Sequence, residues 1–150
     1  MRTDSRLSRM LHVLLHLARA EAPMRSEEIA GMLDTNAVVV RRTMAGLREA
    51  GYVRSSSGPN GGWTLATDLE TLSVLDVHVA LGGSERLFSI GVEQEAPSCI
   101  IEAAVNDALI GAMADAEALL LSRLGDINLA RLADRFSEAW ESWPGRHSRA

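Results

Sequence analysis

The stretch from Asn36 to Ala66 constrains the fold more than any other part of the chain. The segment "NAVVVRRTMAGLREAGY" repeats its apolar residues at helical spacing and runs directly into "SSGPNGGW", residues 56–63. A turn so rich in Ser, Gly, Pro and Asn is a reversal that only small or φ-positive residues take easily. The runs "YVRS" and "WTLA" on its two sides read as short strands. The pattern is therefore a two-stranded hairpin with an oversized, side-chain-poor tip. Such a tip is either a plain connection or a finger whose bare backbone approaches something closely. The preceding helices decide between the two.

In the periodic segment, Asn36 is placed to cap a helix and Gly51 to end it in the left-handed conformation. Ala37, Val40, Met44 and Leu47 share one face and are expected in the core. Val38, Arg42, Ala45 and Glu49 point the opposite way, with Val39 and Arg41 on the flanks. Before it, "RSEEIAGMLDT" reads as a shorter helix. Ser26 is its expected N-cap, Glu27 and Glu28 suit the helix dipole, and Ile29, Ala30 and Leu33 form its buried face. A break at Asp34-Thr35 separates the two. Two short helices joined by a tight turn, the second carrying outward arginines, have helix-turn-helix geometry. With the hairpin added, the unit is a winged helix-turn-helix, and the Gly-rich turn is the wing. The residues expected to meet DNA are Arg25, Ser26, Asn36, Val38, Val39, Arg41 and Arg42, with Ser57, Gly58, Asn60 and Gly61 of the wing. The bland alternatives are a solvated helix face and an ordinary hairpin loop.

The rest of the chain is helical in pattern, so the fold class is mainly α with one small β-hairpin wing. Residues 4–20 place Leu7, Leu11, Leu14, Leu15 and Ala18 on one helical face. A helix over "LSVLDVHVALGG" ends at Gly82-Gly83, and residues 82–97 are a Glu-rich, poorly periodic loop. Pro97-Ser98 then opens a long helix closed by Gly125, whose apolar residues cover more than one face. One face is expected to pack on its own domain and the other on a partner chain. A last short helix over about residues 127–140 carries Leu129, Leu132, Phe136 and Trp140. The expected organisation is a DNA-binding domain over 1–81, a loop over 82–97, dimerisation and C-terminal helices over 98–140, and a frayed tail over 141–150.

Charge supports a nucleic-acid partner only when taken by halves. Residues 1–66 hold nine Arg against six acids, a balance of +3; residues 67–150 hold six Arg against fourteen acids, a balance of −8. Together they return the net −5, and no residue is a lysine. Arginine is the side chain suited to bidentate contact with phosphate and with guanine. With two Phe and one Tyr, the core is expected to be aliphatic. No apolar run approaches the roughly 18 residues that span a bilayer, and no basic-then-apolar leader opens the chain. The expected location is the cytoplasm, with no membrane partner.

No nucleophile–base order, phosphate loop or dinucleotide fingerprint is present, so an enzyme is not expected. His12 and His16 lie one helical turn apart, a spacing that could hold a metal. With no third ligand at a recognisable spacing, the expected role is a packed or solvent-facing pair, and no metal or cofactor is expected. His78 is expected to be structural, and Trp63 to be a wing hinge packed on the third helix. The single cysteine, Cys99, excludes an internal disulfide. It reads either as a small buried hydrophobe or as a thiol at a helix start open to an oxidant.

The segment "TNAVVVRRTMAGLREAGYVRSSSGPNGGWTLA" resembles the DNA-binding signature of the Rrf2 family of bacterial transcriptional regulators, and the layout of helices around it is similar over roughly 140 residues. The resemblance implies a dimeric, sequence-specific regulator, commonly a repressor, that reads an inverted-repeat operator in double-stranded DNA. It also implies an effector, a small molecule or an oxidant, with Cys99 in the sensing region. One branch of the family holds an iron–sulfur cluster on three cysteines there; with Cys99 alone, this chain is more similar to the cluster-free branch. The alternative function is a winged-helix module that binds protein rather than DNA, which calls for an apolar or acidic recognition face.

Overall fold

The computed structural model describes residues 5–83 and 99–142. In chain order its elements are α1 (Arg6–Arg19), α2 (Ser26–Met32), α3 (Ala37–Glu49), β1 (Val53–Ser56), β2 (Gly62–Leu65), α4 (Val74–Ala80), α5 (Ile100–Gly125) and α6 (Leu129–Ser142). The fold is mainly helical with one antiparallel hairpin, in the register Val53–Leu65, Arg54–Thr64, Ser55–Trp63 and Ser56–Gly62. The expected loop over 82–97, beyond Gly83, and the expected tail, beyond Ser142, lie outside the described residues.

Local chemistry accounts for the helix ends. Asn36 Oδ1 accepts from the Val39 amide at 3.0 Å and starts α3. Gly51, at φ 83°, lets the chain leave α3, with the Tyr52 amide donating to the Leu47 carbonyl. Ser73 and Asp76 exchange bonds as a capping box that opens α4. At α2 the sequence reading needs correction. Ser26 is the first helical residue rather than the cap, and Arg25 holds the cap position. Glu28 takes the cap's free amide, its carboxylate accepting from Arg25 N at 2.6 Å.

The core is aliphatic apart from Trp63. Val40, Met44 and Leu47 of α3 are fully buried against Val13 and Leu14 of α1, Ile29 of α2 and Val77 of α4. Ala37 is only half-buried. On α1 the buried residues are Met10, Val13, Leu14 and Leu17, so the expected face is met in part, at Leu14, while Leu15 and Ala18 lie off the core. Both stripes are apolar; Leu7 and Leu11 sit at the core margin, and Leu15 faces a small cavity beside Phe136 of α6. Leu129 of α6 is fully buried in the same core. Its amide donates to the Leu72 carbonyl, so the C-terminal helix is sewn onto the base of α4.

The long helix meets its own domain less fully than expected. None of its described residues is buried, though Met113, Glu117, Leu121 and Leu124 are half-buried along one side, and its end, at Leu124 and Gly125, meets the core and Leu75 of α4. No described helix is long and apolar enough to cross a membrane.

Candidate nucleic-acid interface

The exposed face of α3 presents Val38 and Arg42 to solvent, with Val39 and Arg41 beside them, as helical periodicity requires. Val38 is 69% exposed, an apolar side chain at the first turn left open by the described residues. Among the described residues Arg42 makes no hydrogen bond or ion pair, so its guanidinium is available to a ligand. Arg41 is not. Its Nη2–H donates to Glu27 Oε1 at 2.5 Å, tying the recognition helix to the first turn of α2. Asn36 uses its Oδ1 for the cap, and its side-chain N–H donors stand on an exposed residue at the start of the helix.

The wing stands beside this face because segment 24–26 behaves as a partial third strand. Met24 and Trp63 exchange backbone bonds, Trp63 N–H to Met24 O at 2.8 Å and Met24 N–H to Trp63 O at 3.0 Å. Such close approach requires Gly62, where an added Cβ would lie 2.6 Å from the Met24 carbonyl oxygen. The Trp63 indole, almost fully buried, donates from Nε1 to Ser26 Oγ at 3.0 Å. Ser26 is thus a largely buried acceptor under the wing, at the wall of the groove, and the indole bond leaves its own O–H as a donor. Trp63 does act as the wing hinge, but its polar partner lies on α2 rather than on the third helix. Arg25 donates from Nη2 to the Pro59 carbonyl at the wing tip.

These contacts leave an open groove of about 340 Å³ between the start of α2 and the wing. Arg25, Glu27, Ser56, Gly58 and Pro59 line it. Ser57, Gly58 and Asn60 are exposed at the tip, while Gly61 is half-buried against the Ser56 carbonyl. Arg25 is the arginine in this groove, and Glu27 on its wall holds Arg41 of α3. A groove with an arginine and a bare backbone turn on its wall suits a phosphate chain, and an outward arginine on the adjoining helix suits a base edge. The sequence reading did not single out Glu27 for this edge, seeing only a first-turn acid; its pairing with Arg41 depends on how α2 packs against α3.

Away from this edge, His12 and His16 meet through their Nε2 atoms at 2.9 Å, one donating and the other accepting. The His16 pKa is held below the ordinary histidine value, chiefly by partial burial and then by the charges of His12 and Arg19. Arg19 lies over the Phe136 ring at 5.2 Å and donates to Ser137 Oγ at 3.2 Å. Cys99 is exposed, which overturns its reading as a buried hydrophobe. It sits at the N-cap of α5, where its sulfur accepts from the Glu102 amide at 3.4 Å.

Comparison with known proteins agrees with this geometry. The Rrf2 family model, described as an iron-dependent transcriptional regulator, matches residues 3–135. YffB of Lactococcus lactis, assigned as a helix-turn-helix transcriptional regulator, is 31% identical over 137 residues, covering 89% of this chain and 88% of that protein. YwnA of Bacillus subtilis, assigned likewise, is 34% identical over 106 residues, covering 71% of this chain and 77% of that one. A crystal structure from Lactobacillus plantarum, assigned to the transcriptional regulators, shares the fold with a TM-score of 0.74 at 22% identity, covering 94% of this chain and 92% of that chain. The iron in the family's description finds no matching thiolate set here. The whole sequence has one cysteine, and among the described residues no three His, Cys, Asp or Glu side chains gather where an ion could sit.

Proposed function

This chain belongs to the Rrf2 family of transcriptional regulators, and on that premise we propose that it acts in the cytoplasm as a dimeric repressor of an inverted-repeat operator. It is a DNA-binding regulator and not an enzyme. The observation that carries the reading of the site is Arg42, exposed on the outward face of α3 with no side-chain partner among the described residues. In this reading α3 enters the major groove, Arg42 addresses a base edge, and Val38 packs against a neighbouring thymine methyl or sugar. Arg25 and the exposed amides of the wing tip lie along phosphate. A protein-binding module calls for an apolar or acidic recognition face, and the adjacent arginines of this face argue against it.

The dimer reading rests on α5, whose apolar residues lie uncovered along its length. Operator half-sites are then expected about 34–36 Å apart or at a multiple of that spacing. The effector is proposed to be an oxidant or small thiol-reactive molecule acting at the exposed Cys99, with Cys99→Ser as the insensitive variant. The experiment for the site is an electrophoretic shift on duplexes selected from random sequence by the protein. Arg42→Ala should cost about 1–3 kcal/mol of operator affinity if it pairs with a base. Equal affinity of variant and wild type at matched salt would remove Arg42 from the interface.

A further inference from the structure

Resting on the DNA-binding reading above, we infer that Glu27 governs how strictly this protein separates its operator from other DNA, by holding one edge of the Arg41 guanidinium away from phosphate. The pair joins the first turn of α2 to α3 at 2.5 Å, with both side chains more than half exposed, at 63% and 54%. An exposed ion pair of this kind adds little to folding. Its consequence lies in what the two charges do to a polyanion. The Asn36 cap fixes the start of α3 and with it the position from which Arg41 projects. Glu27 is a positioning residue that acts through Arg41.

A guanidinium has five N–H donors, and a single bond to Glu27 occupies one of them. The remaining donors still match a base edge, which is small, neutral and reached at a set angle. A phosphate near the same guanidinium meets the Glu27 carboxylate as a like charge. Non-specific binding is almost entirely phosphate neutralisation, whereas specific binding adds base contacts. The carboxylate therefore weakens binding to arbitrary DNA more than binding to the operator. Arg42, one residue on and without an acidic partner among the described residues, carries no such restriction.

The test uses the full chain, a duplex that wild type selects from a random pool, and a scrambled duplex of equal composition. Dissociation constants are measured from about 50 to 300 mM salt, where phosphate contacts dominate the dependence. Glu27→Gln should bind the scrambled duplex about two- to fivefold tighter, the range an exposed charge pair commands. Its plot of log affinity against log salt should steepen by about 0.9, the signature of one added phosphate contact. The ratio of operator to scrambled affinity should fall. In an Arg41→Ala background the same substitution should change neither slope nor ratio. Glu27→Gln matching wild type on both duplexes overturns the inference, as does an effect that persists without Arg41. Wild type binding neither duplex overturns the DNA-binding reading itself, a result distinct from wild type binding with Glu27 inert.

Discussion

Arg41 and Arg42 are identical neighbours on one helix, yet packing gives them different chemistry. A turn of 100° per residue places Arg42 in open solvent and brings Arg41 to the α2 side, where Glu27 meets it. The periodicity of the sequence was enough to point both outward; the pairing was not legible, because Glu27 and Arg41 are fourteen residues apart. Ser26 shows the same limit. Ser before two acids is a standard helix-start pattern, but the indole of Trp63, thirty-seven residues away, claims its hydroxyl. A titration belongs to this scale as well. Because the folded pKa of His16 is lowered, the unfolded chain takes the proton first as pH falls. The stability associated with neutral His16 is present above about pH 6.5 and is lost as pH falls from there through the depressed folded value. Protonation of both rings also ends the bond between the Nε2 atoms. The melting temperature of wild type should therefore drop more steeply below about pH 6.5 than that of His16→Gln. Parallel melting curves of the two proteins from pH 7.5 to 5 would remove His16 as the cause.

At the scale of elements, the wing is held by its root. The two strands are four residues each, too short to be stable in isolation. Burial of Trp63, its bond to Ser26 and its backbone exchange with Met24 supply what the hairpin lacks. The hairpin itself was legible from its turn residues, since Gly, Pro and Asn act locally. Its docking on segment 24–26 was not, because no local pattern encodes an isolated bridge. The α1 face was legible only in part for a related reason: an aliphatic helix offers two apolar stripes, and only neighbouring helices choose between them. The docking makes Gly62 sensitive. A Cβ there meets Met24 and Pro23 backbone atoms at 2.6–3.1 Å, and backbone cannot turn aside as a side-chain end can. Gly62→Ala should destabilise by about 1–3 kcal/mol, roughly 2–4 °C in melting temperature per kcal/mol. It should also speed hydrogen exchange at the Met24 and Trp63 amides. Gly31→Ala, on an exposed helix surface with nothing within 4 Å, should be neutral or stabilising by up to about 1 kcal/mol. Unchanged exchange at those two amides in Gly62→Ala would show that the wing root yields without cost.

For the whole molecule the deciding element is α5, twenty-six residues and about 39 Å long. Its apolar excess was plain in the sequence, but the side that meets its own domain is half-buried rather than buried. Ile101, Val105, Ala108, Ala112 and Leu119 follow the three- and four-residue spacing of a helix-pairing seam. Ile101 and Leu119 are 72% and 62% exposed, and soluble monomers rarely leave so much contiguous apolar surface in water. Alanines in the middle of the seam would let a second α5 approach closely. Light scattering should therefore report two chains per particle at micromolar concentration. Ala112→Glu adds a carboxylate near the helix centre, where two copies would face each other across a two-fold axis. Ala112 is exposed in the single chain, so the substitution leaves the winged domain's own packing intact. The variant should become monomeric while its helical spectrum persists. Losing the linked second half-site should weaken operator binding on the order of 10²- to 10⁴-fold, with single half-site binding unchanged. A variant that stays dimeric, or a wild type that is monomeric at micromolar concentration, would move the interface away from this seam. A monomeric variant that binds the full operator as tightly as wild type would instead separate pairing of the chains from recognition of the operator.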